Sequence, residues 1–210
     1  MNAFFQVDGP VYRVLMKIWS LLVLNLCILV TSIPLVTIGV SISAAYATCF
    51  KLIDNNDTRI VQNYSEAFKR NFKQAIGFSV IHFLLFLIIV IDIRYFTQVA
   101  KTASFSLIGV VIVGLFMLLC GQFLYGYIAR YQDSAKVIFI NATKLCLANI
   151  WTSLVLAGMT VGVLFVMLTS PVLFVFMMYI SIFIGLSFMI FLKSFLVLNV
   201  FKKYEKTKEI

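Results

Sequence analysis

Charge is scarce in this chain. Of its 210 residues only 12% are Asp, Glu, Lys or Arg, against about 25% in a soluble globular domain. There is one histidine, there are three prolines, and the four cysteines (Cys27, Cys49, Cys120, Cys146) form no C-x-x-C pair. Each shortage excludes something. So little charge cannot cover the surface of a soluble fold of this size. One His and four dispersed Cys supply no metal-binding set, and the cysteines read as small apolar residues on helices. No phosphate loop of the GxxxxGK[ST] type occurs. No acid–base or nucleophile pair is visible, so the sequence predicts neither an enzyme nor a bound cofactor.

Apolar residues, at 62%, are abundant, and they gather in long runs almost free of charge. About 20 apolar residues cross the roughly 30 Å of bilayer hydrocarbon. The runs are continuous rather than alternating, which argues for helices and against a lipid-facing barrel. The expected fold class is therefore all-α: a polytopic helical membrane protein, residues 1–210 forming one integral membrane domain. The net charge of +9 is scattered between the apolar runs. That distribution fits contact with anionic lipid headgroups rather than nucleic acid.

Pro10 suits the first turn of a helix, and an apolar stretch follows from Val14 to Ile33. Pro34 interrupts it. In the next stretch, Leu35 to Phe50, Gly39, Ser43 and Ala47 recur every four positions, a spacing that lets helices approach closely in lipid. Pro34, Thr37, Gly39, Ser43 and Ala47 are accordingly the packing candidates. Positions 51–74 form the longest polar segment. Val61, Tyr64, Phe68 and Phe72 share a helical face there, which predicts an amphipathic connector lying on the membrane surface. Further spans are expected at Ala75–Phe96, Phe105–Ile128, Ile150–Leu168 and Val172–Leu198. They are separated by a Thr102-Ala103-Ser104 turn, a second polar connector over Ala129–Asn149, and a Thr169-Ser170-Pro171 turn. A polar, basic tail runs from Phe201 to Ile210. Ala67-Phe68-Lys69 and Ala142-Thr143-Lys144 occupy similar places in the two connectors, a faint echo of repeated hairpins.

Lys and Arg accumulate in cytoplasmic loops. Six segments, the first two a tight hairpin at Pro34, place all but Arg94 and Lys101 of the seventeen Lys and Arg on one side, with Lys193 snorkelling to it. That side, which holds the N-terminus, both connectors and the C-terminus, is read as cytoplasmic. A five-span alternative leaves Arg13 and Lys17 outside.

Asn25, His82, Asp92, Arg94 and Gln122 are the intramembrane polar candidates. An ionisable group inside the membrane is a functional candidate by default. His82, however, has no carboxylate near it in sequence, and a packed, hydrogen-bonded imidazole is the expectation. Asp92 and Arg94, two residues apart and on different faces, read as anchors at the outer interface. Asn25, Gln122 and Thr37 read as bonds between helices, with a polar substrate as the alternative. Trp19, Trp151, Tyr12, Tyr127 and Tyr131 are expected in interfacial aromatic belts.

The chain resembles the YesL-like bacterial membrane proteins. The likeness is carried by Phe4-Phe5, Asp8-Gly9-Pro10, Leu24-Asn25-Leu26 and above all Pro34-Leu35-Val36-Thr37-Ile38-Gly39, followed by Ala44-Ala45-Tyr46. Phe68-Lys69-Arg70-Asn71-Phe72-Lys73-Gln74-Ala75 is similar to the family's next block, and Asn141-Ala142 to the start of a later one. The resemblance implies a multi-pass protein of the bacterial plasma membrane with no established activity, and it supplies no functional residues. Members often neighbour genes for sugar importers. This implies a non-catalytic accessory or regulatory component associated with carbohydrate uptake, with an importer complex as partner. A small-solute transporter or channel subunit is the alternative, suggested by the break at Pro34 and the hairpin echo. Importer permeases carry a Glu-Ala-Ala-x-x-x-Gly loop. Here Glu66-Ala67 is followed by Phe68, and Phe72 stands at the Gly position.

Overall fold

A computed structural model describes residues 10–54, 57–96 and 105–208. Phe4, Phe5, Asp8, Gly9, Lys101 and the Thr102-Ala103-Ser104 turn lie outside the described residues. Every secondary-structure element within them is helical. The order is α1 Pro10–Thr31, a 3₁₀ turn Leu35–Thr37, α2 Ile38–Asp54, α3 Ile60–Arg94, α4 Phe105–Arg130, α5 Ala135–Ala148, α6 Ile150–Thr169, α7 Pro171–Ile180, a π-helical turn Ser181–Gly185, and α8 Leu186–Lys208. Six stretches among the described residues are long and apolar enough to cross a membrane. The protein is thus a polytopic helical membrane protein, as its composition requires.

Local chemistry sets the breaks. Pro34 takes an extended conformation after α1, and the Thr37 hydroxyl reaches the carbonyls of Thr31 (2.6 Å) and Pro34 (2.7 Å), closing the hairpin. Asp57 Oδ1 accepts from the Arg59 backbone N–H (3.0 Å) at the entry to α3. The Arg59 side chain beside it holds the Asp57 carboxyl well below the usual carboxylate range. Ser170, extended between α6 and α7, accepts from Val172 N–H (3.3 Å) ahead of the proline-started helix.

The core is built around α2, which packs against α1, α3, α4 and α8. Its small residues Gly39, Ser43, Ala44, Ala45 and Ala47 are buried, and around them lie Phe123, Ile128, Val197, Leu198 and Phe201. The tip of the α6–α7 hairpin is apolar and exposed. Leu168 is 84% exposed and Val172 76% exposed. Leaving such side chains in water forgoes about 1.5–3 kcal/mol each, which fits a turn set at the membrane–water boundary.

Three expectations change. Residues 60–94 form one helix, not a surface helix followed by a span. No proline interrupts the sequence where its polarity changes, and Gly77, two residues beyond Ala75, does not break the helix, which simply continues. The buried face of its first half is Asn63, Tyr64, Ala67, Asn71, Ala75 and Ser79, packed on α2, whereas Val61 and Phe72 are exposed. The tail is the end of α8 rather than a polar extension. Phe201 is buried there against Phe50, Tyr127 and Tyr131, with ring centroids 5.6–6.4 Å apart. Tyr127 and Tyr131 therefore point inward, unlike Tyr12, Trp19 and Trp151, which are exposed as a lipid-facing belt requires.

Candidate functional site

The most unusual group inside the bundle is Lys193. A lysine near a helix end is expected to snorkel, but this one is only 9% exposed. Its ammonium donates to Gln122 Oε1 (2.9 Å) on α4 and to Thr160 Oγ1 (2.7 Å) on α6. Gln122 Nε2 donates to Leu118 O (3.2 Å) and to Thr160 Oγ1 (3.4 Å). The ammonium is thus held by neutral oxygens from two other helices, and no ion pair among the described residues includes it. Lysine in such a place is retained for structure or for work on a polar solute, because burying its charge is costly. Sequence reasoning found Gln122 but missed Lys193 and Thr160. The available signal was one cation and two polar groups, each alone in an apolar run.

Asn25 has a different task. It is fully buried on α1 and meets the π turn. Its Nδ2 donates to Ser181 O (3.0 Å) and Ile182 O (2.7 Å), and its Oδ1 accepts from Ser187 N–H (3.0 Å). Ser187 Oγ returns a bond to Leu21 O (2.7 Å). The carboxamide thereby serves backbone groups of the widened turn and ties α1 to the last helix.

The remaining candidates divide. Gly39 N–H donates to Ser79 Oγ (2.9 Å), and a Cβ at Gly39 would lie 2.5 Å from Tyr125 Cε1. Ser43 Oγ lies 3.5 Å from Asn71 Nδ2, and Ala47 is buried on the same face of α2. Thr31, Ser41 and Tyr64 join their hydroxyls where α1, α2 and α3 meet. His82 is half-buried. Its Nδ1 lies 2.9 Å from Phe78 O on its own helix, and its ring is 5.6 Å from that of Tyr125. Asp92 and Arg94 sit in the last turn of α3, far along the helix from His82, and are not brought to the other candidates. All four cysteines are free thiols, three of them buried.

At the opposite end from the hairpin tips, charges of both signs collect. Arg130 forms a two-pronged pair with Glu205 (2.7 and 2.8 Å), and Tyr131 also donates to Glu205. Lys202 meets Asp54 (2.6 Å), Lys51 donates to Asn63 (2.8 Å), and Arg70 donates to Ala129 O (3.0 Å). Lys51, Asp54, Glu66, Arg70 and Arg130 line an open cavity of about 340 Å³. Individually such exposed pairs contribute about 0–1 kcal/mol. Together they fix four helix ends and leave a concave surface of mixed charge.

Fold and site together define a multi-pass helical membrane protein whose buried polar groups fasten helices to one another. Residues 21–93 match the model of a family described as a protein of unknown function, DUF624. No curated protein and no solved structure matches the chain. The matched stretch runs from α1 to the end of α3. It includes Asn25, the Pro34–Gly39 signature and His82, and it excludes Gln122, Thr160 and Lys193.

Proposed function

We propose that this protein is a non-catalytic accessory or regulatory component of the bacterial plasma membrane, associated with carbohydrate uptake, with its charged helix ends in the cytoplasm. The observation that carries this reading is the cavity between Lys51, Asp54, Glu66, Arg70 and Arg130. It lies at the end where both connectors and α8 converge, and it offers both signs of charge to a complementary loop of a protein partner. The association with sugar uptake rests on the likeness of Pro34–Gly39 and its flanks to the YesL-like proteins. Asn25, Ser79 and Thr31 support a non-catalytic role, since each is engaged in joining helices. The test is co-purification with a tagged sugar importer from detergent extracts. The native chain should be retained. Glu66→Lys, at a carboxylate whose only ion pair among the described residues is an exposed one at 4.0 Å, should lose retention while nearly keeping its melting temperature. Absence of the native chain from the importer complex would remove the reading.

The Lys193, Gln122 and Thr160 cluster favours a second reading, a small-solute transporter or channel subunit. Solute flux in liposomes containing the purified chain alone, abolished by Lys193→Met, would establish it in place of the first.

A further inference from the structure

The hairpin α1–α2 is long and apolar enough to cross a membrane, yet its neighbours are the wrong ones for a crossing pair. Lys51 reaches Asn63, Ser43 approaches Asn71, and Gly39 bonds Ser79. Helix α2 therefore accompanies the first half of α3, from Asn63 to Ser79. Along that half stand four charged residues, Glu66, Lys69, Arg70 and Lys73, all exposed. If α2 crossed the hydrocarbon, these four charges would be carried into it. The stretch of α3 from Ala75 to Arg94 is about 20 residues and suffices to cross without them.

Helix α1 points the same way. Met16, Trp19, Ser20 and Val23 border a cavity of about 390 Å³ against Thr58–Gln62, and Thr31 bonds Tyr64. The contacts of Met16 through Thr31, about 22 Å of helix, thus fall on the entry and first turns of α3. Two helices running side by side would advance together, so α1 crosses α3 steeply. It meets the last helix at the π turn, through Leu21 and Asn25, and contacts the π turn and α8 rather than following α7. Among the exposed apolar residues of α1, Leu15, Trp19, Leu26 and Val30 form one stripe along the helix, with Trp19 63% and Leu26 61% exposed. At about 100° per residue, Arg13 and Lys17 fall on the opposite side of the helix, and both are exposed.

We infer that α1 lies in the plane of the membrane on the side of the charged helix ends, with this apolar stripe sunk into one lipid leaflet, and that α2 stays at that interface. The partner of the stripe is a lipid monolayer. The stripe lies opposite Arg13 and Lys17, the only two charges of α1, which keeps both the guanidinium and the ammonium group towards water when the stripe faces lipid. Four of the six apolar stretches then cross, and both chain ends keep the same side.

Tryptophan depth decides it. The chain has two tryptophans, and Trp151→Phe leaves Trp19 alone, near the middle of the stretch Val11–Thr31. A second variant combines Trp151→Phe and Trp19→Phe with Leu26→Trp, moving the probe seven residues along the same stripe. Both are reconstituted as full-length chains in vesicles carrying spin labels at shallow or deep acyl positions. The expected result is strongest quenching by shallow labels in both variants, at equal depth. A crossing α1 instead places the indole of Trp19 near the bilayer centre and the two probes about 10 Å apart in depth. Stronger quenching by deep labels in either variant, or unequal depths, overturns the inference.

Discussion

Gly39 has no room for a side chain, because an added Cβ would overlap the Tyr125 ring. Gly158 on α6 has open space around it. Gly39→Leu should therefore destabilise the protein in detergent by about 1–3 kcal/mol, read as a lowered melting temperature, whereas Gly158→Leu should leave it unchanged or raise it. Equal losses at both positions would count against the close α2–α4 contact. Lys193 makes a sharper forecast. Gln122→Leu strips the ammonium of one of its two acceptors and should cost about 1.5–3 kcal/mol, the range for hydrogen bonds to charged groups. Adding Lys193→Met removes the stranded charge, so the double variant should be more stable than Gln122→Leu alone. Losses that simply add would mean that the two side chains do not depend on each other. The spacing Gly39, Ser43, Ala47 made the first of these sites legible in the sequence. The second was not legible, because Gln122, Thr160 and Lys193 are brought together by three helices that sequence order leaves far apart.

The π turn at Ser181–Gly185 is an element whose cause lies elsewhere in the chain. Asn25, more than 150 residues earlier, supplies the donor and acceptor that the widened turn needs. Asn25→Leu should leave Ser187 N–H and the Ser181 and Ile182 carbonyls without this partner, at about 1–3 kcal/mol for each group stranded. Hydrogen exchange at Ser187 should rise selectively over that at Val197, which packs in the core. Unchanged protection at Ser187 would show that the turn holds itself. Helix boundaries marked by chemistry were readable in advance: Pro34 after α1, and Ser170-Pro171 between α6 and α7. The continuity of α3 was not. Its first half is amphipathic and its second half apolar, and a change of polarity with Gly77 beside it looks in sequence like a change of element. The strict repeat Asn63, Ala67, Asn71, Ala75, Ser79 was the overlooked sign, since small and polar residues at every fourth position mark a packed face rather than a lipid-facing one.

For the whole molecule, the hydropathy of the sequence suffices to assign a polytopic helical protein, because apolar length and lack of charge follow directly from the bilayer. How the helices are arranged depends on the few polar side chains between them, and those partners cannot be paired from one sequence. The charged helix ends converge on one side: Asp54 with Lys202, and Arg130 with Glu205. The accessory role proposed above depends on that side being the cytoplasm. Single cysteines at Lys69 in α3, Lys136 in α5 and Thr169 at the α6–α7 tip, each in a background lacking the native four, test this directly. In intact cells treated with a membrane-impermeant thiol reagent, the cysteine replacing Thr169 should be labelled. Those replacing Lys69 and Lys136 should be labelled only after the cells are opened. Labelling of the Lys69 or Lys136 variants in intact cells, with protection of the Thr169 variant, would contradict the account.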